Sequence, residues 1–309
     1  MTLSSSDDAR GTFDDGRPGW LRGLGNVRNV VRQEMISRQL DRHLHRRPAR
    51  VLDVGAGQGT QSIRLAGAGH EVVAIEPDPQ LRAEFAAALA REPAAVRARV
   101  SLQPGAIGNL AAVTNGDRFD VVLLLGVMMY LPASKPVIAE LAEHVAPGGM
   151  LALAVRTTTS ALWHPAARQD WLETLAAFEE YEAAQAERRD MRYRNEIGAA
   201  ARADRFDELI AAAAAHGLAL ENWYGVRVAV DPDELDPPPP ADPATLAALL
   251  AVEERLGATD PYRQLGQLAH LILRQAPPSG SPTATSNATS SGGASSGFKP
   301  QDTPSSRHR

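Results

Sequence analysis

Apolar residues fall along the chain in short runs and stripes whose spacing switches between two periods. From Leu24 to His45 they recur at Val27, Val30, Val31, Met35, Ile36 and Leu40, the spacing of an amphipathic helix with one buried stripe. Val51-Leu52-Asp53-Val54 is a β-type run that ends in glycines at 55, 57 and 59. A helical stretch from Thr60 to Ala68 leads to a second β run, Glu71 to Ile75, closing on Glu76. The alternation continues with a helix from Asp78 to Arg91 (Leu81, Phe85 and Leu89 on one face, Asp78 as cap) and a strand from Arg99 to Leu102. Asp120 to Leu125 is the most apolar strand and so belongs at the centre of a sheet. A helix from Lys135 to Val145, a Pro-Gly-Gly turn at 147–149 and a strand from Met150 to Val155 follow. Strands alternating with helices predict an α/β fold on a mostly parallel sheet.

Residues 157–200 break this rhythm. Ala161 to Arg194 reads as mostly helical, with Trp163, Trp171, Leu172, Leu175, Phe178 and Tyr181 on an apolar side and arginines at 188, 189, 192 and 194 at its end. Beyond it come a helix from Arg202 to His216 capped by Gly217, a strand from Leu218 to Val228, and an extended connector at Pro237–Pro240. A helix from Thr245 to Leu256 and a strand from Leu268 to Leu273 complete the pattern. The domain is expected over residues 19–276, with a helical insertion at about 157–200. Residues 1–18 are polar, and 277–309 are Ser, Gly, Thr and Pro; both are expected to be disordered.

Composition narrows the chemistry. Of 309 residues, 44% are hydrophobic and 22% charged, ordinary for a globular protein. The formal net charge of −5 supplies no global basic field for nucleic acid. The absence of cysteine excludes disulfides, thiolate metal ligands and cysteine nucleophiles, and no metal centre is expected. Residues 1–8 lack the basic and apolar regions of a secretory signal, and no apolar run approaches the ~20 residues of a membrane span. The reading is a cytoplasmic protein with no membrane partner.

The segment from Val51 to Glu76 carries the strongest chemical signal. Glycines let the backbone turn tightly and bring main-chain N–H groups close to a ligand. Glu76, 17 residues past Gly59 at the end of the next strand, is placed to accept hydrogen bonds from ribose hydroxyls. The spacing is G-x-G-x-G, with Asp53 two residues before the first glycine. A carboxylate there repels a pyrophosphate but suits a sulfonium or an α-amino group. This pattern resembles the class I S-adenosylmethionine (SAM) methyltransferases: Asp53 to Gly59 their glycine motif, Ile75-Glu76-Pro77 their ribose-binding acid, and residues 126–132 and 147–155 their later segments. The resemblance implies a Rossmann-like sheet of seven strands, mostly parallel with an antiparallel last strand, and a helical lid over the acceptor. It implies SAM as cofactor, held by Asp53, Gly55, Ala56, Gly57, Glu76, Pro77, Ile107, Gly108, Leu125 and Gly126.

Islands at 25–28, 51–61, 225–228, 253–255 and 260–266 are further similar to the bacterial tRNA 5-carboxymethoxyuridine methyltransferases. That family's first-helix arginine, which reaches the SAM carboxylate, corresponds to Arg28. The acid that many methyltransferases use for the adenine amine is missing here. Gly108 and Asn109 stand in that turn, and Asn109 is a possible acceptor. Candidates for the reaction itself are Tyr130, His164 and Arg227. A carboxylate acceptor is already ionised at neutral pH and requires no base. The expected reaction is O-methylation of a hydroxyl or carboxylate on a small molecule. The alternatives are methyl esterification of a carboxymethoxy-modified wobble uridine in tRNA, and SAM binding without catalysis.

Overall fold

The computed structural model describes residues 16–45, 48–195, 197–230 and 237–276. The segments 1–15 and 277–309, expected to be disordered, lie outside the described residues. Residues 16–18, grouped with the N-terminal segment, instead begin a helix, α1, at 16–22.

Seven strands form the main sheet: β1 (Arg50–Val54), β2 (Glu71–Glu76), β3 (Val100–Pro104), β4 (Phe119–Leu125), β5 (Val145–Val155), β8 (Leu218–Val226) and β9 (Leu268–Gln275). Their order is β3-β2-β1-β4-β5-β9-β8. Strands β1 to β5 are parallel to one another, and β9 runs antiparallel to both β5 and β8. This is the sheet expected from the sequence.

Both faces of the sheet are covered, which is why its strands read as nearly continuous apolar runs. Strand parity assigns the faces. Val51, Val72, Ala74, Val121 and Leu123 pack with Val31, Met35, Ile36 and Leu40 of α2 (Val27–His43). Leu52, Val54, Ile75, Val122 and Leu124 pack on the other face, against Val137, Ile138 and Leu141 of α7 (Ser134–Glu143). The helices between are α3 (Thr60–Gly67), α4 (Pro79–Leu89), α5 (Ala94–Arg97) and α6 (Leu110–Thr114). Asp78 caps α4 as expected, its Oδ1 accepting from Gln80 N (2.7 Å) and Leu81 N (3.1 Å).

The insertion differs from the sequence reading. It holds two helices, α8 (Thr158–Ala167) and α9 (Trp171–Ala186), followed by an antiparallel pair, β6 (Met191–Arg194) and β7 (Ala200–Ala203). Of the arginine-rich end expected to be helical, Arg192 and Arg194 therefore lie in a strand and Arg188 and Arg189 in the connection before it. Arg202, expected to open a helix, lies in β7, and α10 begins only at Phe206 and ends at Ala214. A buried ion cluster explains the change. Arg202 is 1% exposed and pairs with Asp190 (2.7 Å) and Asp204 (2.8 Å), and it also donates to Met128 O (3.1 Å). Such partners lie far off in sequence, so helical spacing could not reveal them. On α9, Trp171, Leu172, Leu175 and Phe178 are exposed rather than packed, and only Ala184 is buried. The last helix, α11 (Pro243–Ala258), places the buried Glu253 so that its carboxylate accepts from Val228, Ala229 and Val230 N.

Candidate active site

Strand parity aims the two acids of the glycine segment. Asp53 shares a face with Val51, and Glu76 with Val72 and Ala74, so both point to the α2/α3 side of the sheet. Both are almost fully buried. The Ser62 hydroxyl of α3 donates to Asp53 at 2.6 Å. Burial nonetheless pushes the Asp53 carboxyl up to about 6, and the Ser62 bond only partly offsets it. Glu76 accepts from Gly57 N at 2.8 Å and from Asp78 N at 2.9 Å, tying the glycine turn to the end of β2. Its carboxyl is also raised by burial, against the lowering effect of those two bonds.

The turn needs its glycines for different reasons. Gly57 has a φ of +59°, and a Cβ there would meet only the Trp20 ring at 3.6 Å, so the backbone faces open space under an aromatic roof. Gly59 has a φ of +84°, and a Cβ there would run into the Phe85 ring. One glycine serves access, the other helix packing.

A cavity of about 860 Å³ opens over this turn at the carboxyl ends of the parallel strands, where open α/β sheets bind ligands. Of the residues proposed from sequence, Asp53, Gly55, Ala56, Gly57, Glu76, Pro77, Ile107, Gly108, Leu125, Gly126 and Tyr130 line it. Arg28 does not. Arg32, one turn further along α2, does. Arg32 donates to Asn29 Oδ1 at 2.7 Å, and a Cβ on Gly126 would sit 3.5 Å from its guanidinium. His164 and Arg227 are also away from the cavity lining. His164 is buried within α8, and Arg227 is buried just past β8 with a φ of +61°. Tyr130 accepts from Asn195 Nδ2 (2.9 Å), so the tip of the β6–β7 hairpin fixes a residue of the cavity wall.

Among the lining residues that the sequence reading did not assign to the site are Arg17, Trp20, Arg32 and Glu140. Arg17 pairs with Asp78 at 2.6 Å, and α1 rests its Gly16 and Gly19 on Ile197 of the hairpin turn. Only Arg32 carried a signal, its i+4 spacing from Arg28. Asn109, considered for the adenine amine, instead accepts from Ala106 N (3.1 Å) inside its own loop.

Residues 52–151 match the family model of a methyltransferase domain, and this span contains the glycine turn, both acids and the cavity-lining edge of β4. Residues 52–151 are a methyltransferase domain. Among curated proteins, the chain is 33% identical over 133 residues to the ubiquinone biosynthesis O-methyltransferase of Xanthomonas oryzae pv. oryzae, covering 43% of this chain and 52% of that protein. It is 28% identical over 158 residues to the tRNA 5-carboxymethoxyuridine methyltransferase of Escherichia coli, covering 49% and 59% respectively. These matches thus span little more than half of each relative. In three dimensions the chain is similar to the 1,6-didemethyltoxoflavin-N1-methyltransferase of Burkholderia thailandensis, with a TM-score of 0.51, 18% identity and coverage of 87% of this chain and 86% of that one. The fold is that of the class I methyltransferases, as the sequence resemblance implied.

Proposed function

We propose that the chain is a SAM-dependent methyltransferase that O-methylates a hydroxyl or carboxylate of a small molecule, with the insertion at 157–200 as its lid. The observation that carries this reading is the pairing of Glu76 with the Gly57 N–H beneath Trp20, with Asp53 buried alongside, all on one cavity. Each Glu76 oxygen keeps a second lone pair for a ribose hydroxyl. Asp53, in a low-dielectric setting, favours a cationic amino acid moiety over a pyrophosphate. Pro77 and Ile107 offer apolar surface to a base, and Arg32 a cation to a carboxylate. Bound SAM would supply an electrophilic methyl group on a sulfonium. The protein's part is to align an acceptor with it and to exclude water.

No base is required for an ionised acceptor, and of the three candidates for the reaction itself Tyr130 alone lines the cavity. Two of the five arginines at 157–200 face acids of their own, Arg189 pairing with Glu180 and Glu187 and Arg168 with Glu173, and Arg194 donates to Gly198 O. The similarity to a tRNA-modifying enzyme over 158 residues supports the second reading, esterification of a carboxymethoxy-modified wobble uridine. Calorimetry with S-adenosylhomocysteine, with and without total tRNA, tests both. Binding supports the cofactor assignment, and failure to bind overturns it. Tightening by tRNA that weakens steeply with salt would favour the RNA substrate.

A further inference from the structure

We propose that Glu140 of α7 reads the exocyclic amine of the cofactor's adenine and makes the chain selective for adenosyl over inosyl ligands. The inference rests on the cofactor reading above. The loop after β3 brings no acid of its own to the cavity, and its one carbonyl-bearing side chain, Asn109, accepts from Ala106 N and is not among the residues that line the cavity. The carboxylate at this point arrives from a different element. Glu140 is half-buried and lines the cavity, its Oε2 accepting from Gly108 N at 2.7 Å and its Oε1 from Leu110 N at 3.1 Å.

Those two bonds hold the carboxylate in one orientation against the loop that carries Ile107 and Gly108. Neither uses up its oxygen, because a carboxylate oxygen has two acceptor sites. Among the described residues, no cation pairs with Glu140. Val137 and Pro136, which precede it by about one turn on α7, line the same cavity. A preoriented anionic acceptor beside apolar walls matches a flat heteroaromatic base whose edge presents an N–H₂ donor. It opposes a base that presents a carbonyl oxygen at the same place, because two acceptors would then face each other.

The test is a ratio of affinities. Calorimetry with the full chain would measure S-adenosylhomocysteine against S-inosylhomocysteine, in which an oxygen replaces the amine. The wild type should favour the adenosyl ligand by about tenfold or more. In Glu140→Gln, where an amide replaces one acceptor oxygen, the ratio should collapse to within about threefold, mainly through weaker adenosyl binding. A variant that loses both ligands equally and keeps the wild-type ratio would show that Glu140 only props the loop, and the proposal would be overturned. Should Glu140→Gln fail to unfold cooperatively on heating, Glu140→Asp, which withdraws the carboxylate by one methylene, gives the same reading: an unchanged ratio sinks the idea. A wild type that binds neither ligand would instead overturn the cofactor assignment, a separate outcome.

Discussion

The carboxylate of Glu76 lies 2.8 Å from the backbone nitrogen of Gly57, across 19 residues of chain. A second bond, from Asp78 N at 2.9 Å, fixes its other oxygen. The acid at the end of β2 is therefore both a member of the glycine turn and a wall of the cavity. Glu76→Gln keeps the volume but replaces one acceptor with a donor that faces an N–H. It should weaken S-adenosylhomocysteine binding about tenfold or more, or about 1.4 kcal/mol, by calorimetry. Unchanged affinity would remove Glu76 from the ribose site.

Arg32 and Arg28 give a paired comparison. Arg32→Ala should weaken S-adenosylhomocysteine binding by about tenfold, the loss of one charge-assisted hydrogen bond. Arg28→Ala should stay within about twofold of the wild type. The reverse order would restore the assignment first made from sequence.

Asp53 couples ligand binding to pH. Burial lifts its carboxyl from 3.8 to about 6, so the ionised form that a cationic ligand needs is depleted below that value. SAM affinity should be level above pH 7 and fall towards tenfold per pH unit below about 6. Stability moves the other way: a folded-state value above the unfolded one means that the contribution is fully present below about 3.8 and is lost as pH rises through about 6. Asp53→Asn should therefore raise the ligand-free stability at pH 7 by up to about 3 kcal/mol while abolishing tight SAM binding. Thermal unfolding and calorimetry at pH 5 and 7 would check both, and a lower melting temperature at pH 7 would contradict the first.

Gly59 and Gly69 both have positive φ, +84° and +97°. A Cβ at Gly59 strikes Phe85, whereas nothing lies within 4 Å of one at Gly69. Gly59→Ala should cost about 3 kcal/mol by urea denaturation, strain and overpacking together, and Gly69→Ala about 1 kcal/mol. Equal losses would mean that the clash is relieved by movement of Phe85.

Arg202→Met leaves Asp204 buried without its cation. The loss should be about 3 kcal/mol or more at pH 8. Asp204 already titrates near 6 through burial, against the pull of Arg202, and removing that cation raises it further. The deficit should then shrink at pH 5, where the acid takes up a proton. A deficit independent of pH would place the damage in packing instead.

The sheet, the glycine turn and the two acids were legible along the chain, because these rest on local physics. Period-two runs such as Val51 to Val54, glycines where φ must be positive, and an acid at a strand's end all speak within a few residues of each other. Parity then sends Asp53 and Glu76 to the same side of the sheet without further information. What else lines the cavity follows from packing between distant elements. Whether Arg28 or Arg32 reaches it depends on where α2 begins relative to β4. The strand at Arg202 depends on Asp190 and Asp204, and the acid beside Gly108 comes from Glu140, 32 residues away on another element. Contacts of that kind are fixed when distant elements pack together, and no periodicity along the chain records them.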